Sequence, residues 1–433
     1  MVVLVKTLQV ILALSLLIIV HEFGHFFWAR LFGIKVEKFY LFFDVGGHAI
    51  ARWHWGETEF GIGWIPFGGY CKIAGMVDES MDLDQMKEPA KKWEFRSKPA
   101  WQRLLVMFGG VLNNFIFAII VFCIIAGVWG DAYISNRNAF IAPNELAQEM
   151  GFKLGDHIIS FDGYEPENFA MLQADLARRN VRTASILRGT DTLTLYIDQA
   201  YIPDVLNSPG MFDLALPFIV DSMRFDGPNA ACDIVSGDRI IAFDGAPVAF
   251  LQDAREVLAT CRARTVDATV VRGTDTLAVP VAVDSLGQIG VYLRTPDIVR
   301  LEYSALESIP AGIKLTWDTI ADYLKDLGML FRPSTGAYKS VGSFIAIGQV
   351  FPSAWDWYRF LNIMALLSVM LGVMNLLPIP ALDGGHILFT LFEMITGRKP
   401  SVRFLAIMQM IGMILLLALM VLAFGNDIGR LIH

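Results

Sequence analysis

Two histidines at metal-binding spacing, with a glutamate between them, interrupt an apolar N-terminal stretch. The motif HEFGH occupies His21–His25, directly after an uncharged apolar run at 8–20. Residues four apart share one face of a helix, so the imidazoles of His21 and His25 can reach one metal ion. Glu22 lies beside them, where a carboxylate can take a proton from a zinc-bound water. The pattern therefore predicts a zinc site with Glu22 as the catalytic base.

The apolar setting limits what this motif can be. Ionisable groups inside a membrane span are rare and usually mark functional sites. The alternative is that these side chains only hydrogen-bond to other spans. A secretory signal peptide is an alternative for the stretch as a whole, but no small-residue cleavage site follows the apolar run. Ionisable and aromatic residues follow it instead, which favours a retained span.

Zinc needs a third protein ligand, and Asp383 is the best candidate. It follows Pro378 and Pro380 in the stretch NLLPIPALDGGH (375–386), and proline cannot continue an ordinary helix. The stretch predicts a broken helix that carries Asp383 into the bundle, with two glycines behind it for close backbone approach. His386 is a fourth candidate and fits better as a residue that supports the ligands. The alternative for Asp383 is an ordinary helix end at the membrane interface.

Four apolar stretches predict a polytopic α-helical membrane protein. Hydrophobic residues make up 55% of the 433 residues, and the mean hydropathy is +0.49. About 20 apolar residues cross the hydrocarbon core of a bilayer. The predicted spans cover residues 8–28, 104–129, 360–382 and 404–425. Lysine and arginine cluster between the first and second spans and between the third and fourth, which places those loops in the cytoplasm and both termini outside.

The segment between the second and third spans contains an internal repeat. LGDHIISFDG (154–163) recurs as SGDRIIAFDG (236–245) with seven of ten residues identical, and RGTDTL recurs unchanged at 188–193 and 272–277. Each copy predicts a Gly-Asp turn, a strand, an Asp-Gly hairpin turn, a helix and two further strands. The offsets of 82 and 84 residues are too long for a solenoid repeat, so two tandem β-rich domains are expected.

Each repeat copy resembles a PDZ domain, and the two domains are expected at 131–218 and 219–300. PDZ domains bind extended peptide ends by adding a strand to a sheet edge, and the alternative is that both are spacers. An amphipathic helical segment is expected at 301–358, on the outer membrane surface or against the third span. Cys232 and Cys261 lie in the second domain and could pair if it is exported, but two free thiols are preferred.

The loop after the first span, at 36–75, is rich in aromatic and β-prone residues. It contains EFGIGWIPFGGYCKI (59–73), whose alternation predicts hairpins that dip into the membrane edge. The alternative is an interfacial anchor.

HExxH in the first span, LDG in a later span and PDZ-like domains between them resemble the site-2 protease family of intramembrane metalloproteases. The resemblance extends over nearly the whole chain, so that residues 1–130 and 359–433 would form the two parts of a membrane core. It implies that one zinc ion is held by two histidines and an aspartate and that a glutamate activates water. These roles fall on His21, His25, Asp383 and Glu22.

The resemblance also implies several supporting and substrate-binding residues. Asn375 matches an asparagine that holds unwound substrate backbone, and Asn114 matches a supporting asparagine in the second span. Val111 departs from the family, which tends to have proline there. The loop at 36–75 would be a re-entrant β element that extends the substrate by strand addition, with Gly61 and Gly63 as candidate contacts.

The implied function is regulated intramembrane proteolysis in a bacterial inner membrane. Substrates would be single-pass proteins already trimmed by another protease, such as anti-sigma factors or signal-peptide remnants, and the PDZ-like domains would exclude bulky outer domains. The net charge of −8 argues against nucleic acid, the lipid bilayer is the expected partner, and the oligomeric state stays open. A membrane-anchored scaffold is one alternative. A metal transporter is another, but it would need several layers of ligands.

Overall fold

A computed structural model describes residues 2–76, 88–208, 210–224, 226–227, 229–330, 332 and 342–432 of the chain. The helices in these ranges are α1 (Val2–Leu31), α2 (Ala100–Trp129), α3 (Glu145–Glu149), α4 (Leu172–Arg178), α5 (Ile202–Asn207), α6 (Leu251–Thr260), α7 (Ser308–Leu330), α8 (Phe344–Val350), α9 (Trp357–Leu376), α10 (Asp383–Thr396) and α11 (Val402–Ile432).

The strands are β1 (Val36–Phe43), β2 (Ala49–Trp55), β3 (Thr58–Gly63), β4 (Ile65–Ile73), β5 (Asp131–Ile134), β6 (Phe140–Pro143), β7 (His157–Phe161), β8 (Thr183–Arg188), β9 (Asp191–Tyr196), β10 (Phe212–Ala215), β11 (Val220–Met223), β12 (Arg239–Phe243), β13 (Ala246–Pro247), β14 (Thr265–Arg272), β15 (Asp275–Ala282), β16 (Val291–Leu293) and β17 (Ile298–Leu301).

The chain forms two compact units, and the first contains the four helices, among the described residues, that could cross a membrane. This unit comprises residues 1–130, 302–331 and 338–433. Four of its helices, α1, α2, α9 and α11, are long and apolar enough to span a bilayer. The predicted membrane protein with four spanning helices is therefore confirmed. The third of these helices ends at Leu376 rather than near 382, because the prolines that follow cannot continue it.

Helices α1 and α2 approach each other closely at glycines. A Cβ atom at Gly24 would overlap the backbone carbonyl of Gly109, and a Cβ atom at Gly109 would lie 2.7 Å from the carbonyl oxygen of Gly24. Small residues allow this in membranes, where helices associate through packing rather than through the hydrophobic effect. The contact falls within the HEFGH motif, so it brings the second span directly against the predicted metal ligands.

Helix α7 packs along α2, against the second span as well as the third. The Ser308 side chain lies 3.4 Å from the Cβ position of Gly127, and Gly312 packs against Cys123. Further along α7, Leu327 joins a buried cluster with residues of α2 and α9. The sequence predicted a helix on the membrane surface or against the third span, and it did not identify α2 as its main neighbour. Glycine and serine on one face make this close contact feasible.

The loop after α1 forms a four-stranded sheet with the strand order β2-β3-β1-β4. Strands β1 and β3 are parallel, with Lys38 opposite Glu59, whereas β4 runs antiparallel to β1. The sequence predicted hairpins and therefore missed the parallel pairing, which joins strands that are not adjacent along the chain. The order leaves β2 and β4 as the two edges of the sheet among the described residues.

The second unit, residues 131–301 with 332–337, contains the repeat. Its two copies share the order strand, strand, helix, hairpin and strand, and the first copy has the additional short helices α3 and α5. In each copy a strand before the repeated sequence pairs antiparallel with one after the hairpin, β6 with β10 and β11 with β16, and β5 and β17 at the two ends of the unit also pair. In each copy a hairpin also forms around RGTDTL, β8–β9 and β14–β15. Each copy has its own buried cluster of apolar side chains. The domain boundaries and the PDZ assignment stay predictions.

The residues that are identical in the two copies make equivalent buried ion pairs. In the first copy, Arg188 donates two hydrogen bonds of 2.8 Å to Asp156. In the second, Arg272 donates bonds of 2.9 and 2.8 Å to Asp238. Both aspartates are almost fully buried, at 0% and 1% exposure. The repeated Gly-Asp and Arg-Gly sequences therefore carry fold stability, because an unpaired buried carboxylate would be strongly unfavourable.

We expect Asp238→Asn to destabilise the second copy by about 1–3 kcal/mol, since the buried partner of Arg272 is lost. The Arg272 hydrogen bonds hold the pKa of Asp238 below its usual range. The stabilisation is therefore complete at neutral pH and is lost as the pH falls below about 3.9. Amide hydrogen exchange of β12 and β14 in the full-length protein measures the effect.

The matched control for this prediction is Asp233→Asn. Asp233 also lies near Arg272, at 3.6 Å, but its side chain is 77% exposed. Exposed ion pairs contribute little, so we expect a change below about 0.5 kcal/mol. Equal loss of protection in the two variants would show that burial of the pair is not the source of its stability.

Candidate metal centre

Three potential metal ligands from two distant parts of the chain meet inside the membrane unit. The Nε2 atoms of His21 and His25 are 3.3 Å apart. Oδ2 of Asp383 lies 3.3 Å from the first and 3.2 Å from the second. Both histidines are buried, at 9% and 6% exposure. Among the described residues this is the one group of three that could hold a metal ion.

The geometry of the three atoms fits zinc. Ligands of a tetrahedral zinc at about 2.0–2.1 Å lie about 3.3 Å from one another. The observed triangle has sides of 3.2 to 3.3 Å. Oδ2 of Asp383 is buried and makes no hydrogen bond. Three electron-rich atoms held this close repel one another unless a cation lies between them, so the donor set suits a divalent metal.

Each imidazole is oriented through its second nitrogen. Nδ1 of His25 lies 2.9 Å from the carbonyl oxygen of Val106. A carbonyl only accepts, so in neutral His25 the proton is on Nδ1 and Nε2 keeps its lone pair. Nδ1 of His21 lies 3.0 Å from Nδ2 of Asn114. The side-chain oxygen of Asn114, Oδ1, is buried and has no hydrogen-bond partner. Exchanging the side-chain oxygen and nitrogen of Asn114 would let Oδ1 accept a hydrogen bond from Nδ1–H of His21. His21 would then have its proton on Nδ1, as His25 does.

Asp383 reaches the histidines because the chain between α9 and α10 is irregular. Helix α9 ends at Leu376 and α10 begins with Asp383 itself. In between, Ala381 has a left-handed backbone with φ of 77°, which costs energy for a residue other than glycine. A Cβ atom at Gly384 would overlap the carbonyl of Leu377. The predicted broken helix is therefore present, and a glycine after Asp383 is needed for the turn to close.

An ion pair fixes helix α10 against α2. Arg103 donates a hydrogen bond of 2.5 Å to Glu393, and both side chains are about nine-tenths buried. Asp383 is the first residue of α10. Helix α2 contributes Val106 and Asn114, which contact the two histidines. The pair therefore links the two helices that support the metal centre from either side.

The carboxylate of Glu22 faces the same centre. It lines one cleft together with both histidines, Asp383 and residues 69–73 of β4. Sequence reasoning identified Glu22 and both histidines but did not predict that an edge strand of the loop would lie against the glutamate. The alternating pattern of β4 indicated a strand without indicating its neighbour.

A cleft of about 840 Å³ opens at the centre. Its lining includes the three potential ligands, Glu22, residues 69–73 of β4, Asn375, His386 and Gln409. The amide nitrogen of Asn375 lies 3.4 Å from Nε2 of His21, so the predicted substrate-binding asparagine is next to the metal position. Sequence reasoning did not predict Gln409, which comes from the fourth span and belongs to no motif.

Gly61 and Gly63, the predicted substrate contacts in the loop, lie elsewhere. Both belong to β3, which is already paired with β1 on one side and β2 on the other. Their missing side chains make room inside the sheet instead: a Cβ atom would overlap the ring of Tyr40 at Gly61 and the carbonyl of Phe43 at Gly63. Gly61 is paired with Tyr40 of β1 and Arg52 of β2, and Gly63 with Ala49 of β2, so both lie in an inner strand rather than at a sheet edge.

The apolar helices, the buried ligand triangle and the adjacent carboxylate are typical of a metalloprotease built into a membrane. Residues 9–419 match the model of peptidase family M50. The chain belongs to this family of site-2 proteases, and it is a zinc metalloprotease. The predicted enzyme class is therefore confirmed.

Similar proteins match over almost their whole length. The regulator of sigma E protease of Haemophilus influenzae is 30% identical, covering 97% of this chain and 98% of the relative. The regulator of sigma-E protease RseP of Escherichia coli K12 is also 30% identical, with the same coverage. A protein of Clostridium perfringens named as a candidate zinc metalloprotease is 28% identical over 96% of this chain and 97% of its own.

We expect Gly110→Ala to disturb the metal centre although no ligand residue is substituted. A Cβ atom there would overlap Nε2 of His25 and lie 2.8 Å from Cε1 of His21, so both rings must move. Zinc affinity should fall by about 10- to 100-fold, the range seen when the support of zinc ligands is lost. Metal analysis of the purified protein after equilibration with buffered zinc measures this.

Gly127→Ala is the matched control on the same helix. Its Cβ atom would make only ordinary contacts of 3.4 Å with Ser308. We expect unchanged zinc affinity and slightly higher helix stability, since alanine is the better helix former. Wild-type zinc affinity in Gly110→Ala would contradict the arrangement of α2 against the two histidines.

Proposed function

We propose that this protein is an intramembrane zinc endopeptidase that cuts transmembrane segments of single-pass membrane proteins. The observation that carries the proposal is the ligand triangle of His21, His25 and Asp383. Both histidines lie in a helix apolar enough to span a bilayer, and Asp383 follows the end of another such helix at Leu376. One zinc per chain would be held there. A site at this depth suits a peptide bond that is itself inside the membrane, because irregular backbone is tolerated only where protein or water surrounds it.

Glu22 is the catalytic base in this proposal. Zinc would supply Lewis-acid polarisation of the scissile carbonyl. The Glu22 carboxylate takes a proton from the attacking water and then gives it to the nitrogen of the leaving amine. Asn114 and Val106 hold the two imidazoles in position, and His386 at the rim of the cleft supports the turn that carries Asp383. Asn375 binds substrate backbone next to His21.

Strand β4 binds the unwound substrate in this proposal, in place of Gly61 and Gly63. It is an edge strand of the four-stranded sheet, and its residues 69–73 line the cleft together with Glu22. An edge strand offers unpaired amides and carbonyls to an extended peptide. A helical substrate that pairs with β4 would therefore be extended right beside the catalytic carboxylate.

The second unit would act as a size filter. We propose that its two repeat copies are PDZ-like domains on the outer, periplasmic side of an inner membrane, where both termini also lie. Lysine- and arginine-rich loops on the opposite side support this orientation. Substrates would first be trimmed outside by another protease, and anti-sigma factors and signal-peptide remnants fit this description. The names of the related regulators of sigma-E protease support the first of these classes.

We expect Glu22→Gln to bind one zinc per chain. It should cleave a model transmembrane peptide about 10²- to 10⁴-fold more slowly than wild type, which is the usual contribution of a general base. His21→Ala and Asp383→Ala should lose both zinc and activity. Zinc content and peptide cleavage in detergent or lipid measure the two effects. Cleavage by Glu22→Gln at the wild-type rate would exclude Glu22 as the base.

We expect a compact outer domain on a single-pass substrate to block cleavage. The comparison uses two substrates of equal length, one with a folded outer domain and one with the same domain unfolded by mutation. A size filter should allow at least about 10-fold faster cleavage of the unfolded version, because an extended chain can pass where a folded domain cannot. Equal rates in reconstituted vesicles would argue against gating by the second unit.

A further inference from the structure

One buried polar side chain in the cleft has no hydrogen-bond partner. Gln409, on the inward face of α11, is 4% exposed and lines the cleft together with His21 and Asp383. Within the described ranges no hydrogen bond is found for its carboxamide, whose polar atoms are not among the fully buried ones without a partner and therefore open on the cleft. Other polar residues of the cleft have protein partners: Lys38 and Tyr70, for example, both hydrogen-bond to Asp44. Gln409 is thus an open donor and acceptor in the cleft.

Other amides in the spans of this protein find partners for their nitrogens, although Oε1 of Gln9 and Oδ1 of Asn114 are buried without one. Gln9 in α1 is fully buried, and its amide nitrogen donates to the carbonyl oxygens of Val5 and Pro352. Asn113 in α2 donates to the carbonyl of Val20. A buried amide without a partner is unfavourable, more so in hydrocarbon surroundings. An unpartnered glutamine in a span therefore points to a partner that is present only part of the time.

A backbone contact fixes where Gln409 points. Gly412 lies one turn further on the same face of α11, and a Cβ atom there would overlap the carbonyl of Pro380. Ala406, one turn earlier, is also buried. Small residues on either side let α11 approach the turn that ends at Asp383, so Gln409 is the long side chain on that face that enters the cleft.

We infer that Gln409 binds the peptide backbone of the unwound substrate beside the metal centre. A carboxamide offers one acceptor and two donor hydrogens, which match the N–H and C=O groups of an extended peptide unit. An intact helix satisfies its own backbone groups and cannot bind in this way. This inference rests on the proposed function, since it concerns the substrate of the same cleft. It assigns part of the substrate site to the fourth span.

Gln409→Leu keeps a branched side chain of similar bulk, one atom shorter, and removes its polar groups. We expect KM for a model transmembrane peptide to rise about 3- to 10-fold, the usual contribution of one hydrogen bond, with zinc content unchanged. Because the leucine removes an unpartnered buried amide, the melting temperature of the substrate-free protein should equal or exceed that of wild type. A purely structural glutamine would give the opposite change in stability.

The matched control is Gln9→Leu, which removes an amide that does have partners. It should lower the melting temperature and leave KM unchanged, because Gln9 is remote from the cleft lining. Loss of stability together with unchanged KM in Gln409→Leu would make the two glutamines equivalent and would overturn the inference.

Ester substitution in the substrate identifies the contact. Synthetic peptides are prepared with one backbone amide at a time replaced by an ester, which removes the N–H donor and weakens the carbonyl acceptor. At one position the ester should slow wild-type cleavage at low substrate concentration about 3- to 10-fold and have no effect on Gln409→Leu, as coupled partners do in a double-mutant cycle. Equal ester effects in both proteins at every position would mean that Gln409 binds water or lipid instead.

This experiment distinguishes an error in the proposed protease function from an error in the role of Gln409. If the wild-type protein cuts none of the all-amide peptides, the proposed function itself is wrong, and the wild type alone shows this. If the wild type cuts them and the ester profiles of the two proteins coincide, the protease assignment stands and only the role of Gln409 is wrong.

Discussion

The close approach of the first two spans at Gly24, Gly109 and Gly110 is the constraint on which the rest of the structure depends. It brings backbone against backbone beside both histidines, where any side chain at Gly110 would displace the rings. The same approach puts Val106 and Asn114 of α2 within hydrogen-bonding distance of the two Nδ1 atoms. Packing of small residues thus does more than join two helices, because it fixes the tautomers and orientation of the ligands.

A polar centre inside an apolar bundle is stable only if its groups are satisfied. The bundle achieves this with fixed partners for structural groups: Ser368 donates to the carbonyl of Asn114, and Arg103 pairs with Glu393. Oδ2 of Asp383 is the exception among the ligands, and a bound metal would satisfy it. The polar residues of the spans therefore divide into those that hold the bundle together and those that are left for a metal or a substrate.

The sequence predicted the chemistry of the site better than its surroundings. His21, Glu22, His25 and Asp383 were identifiable because charge in an apolar span is rare and because the prolines before Asp383 break a helix. The helical spans followed from hydropathy and the repeat followed from self-similarity. The parallel pairing of β1 with β3, the packing of α7 along α2 and the place of Gly61 and Gly63 inside the sheet did not, since local patterns do not specify which distant segments meet.

Gln409 shows why the substrate site is harder to predict than the metal site. A metal site needs a fixed set of ligands at fixed spacing, and this leaves motifs. A site for extended backbone needs only open donors and acceptors at the right place, which an edge strand such as β4 or a single amide can supply. Open groups are unfavourable in the absence of substrate, so a cleft of this kind gives up some stability for binding. Donors and acceptors that are left open on the cleft, such as the amide of Gln409 and the edge of β4, are therefore the ones that a substrate can use.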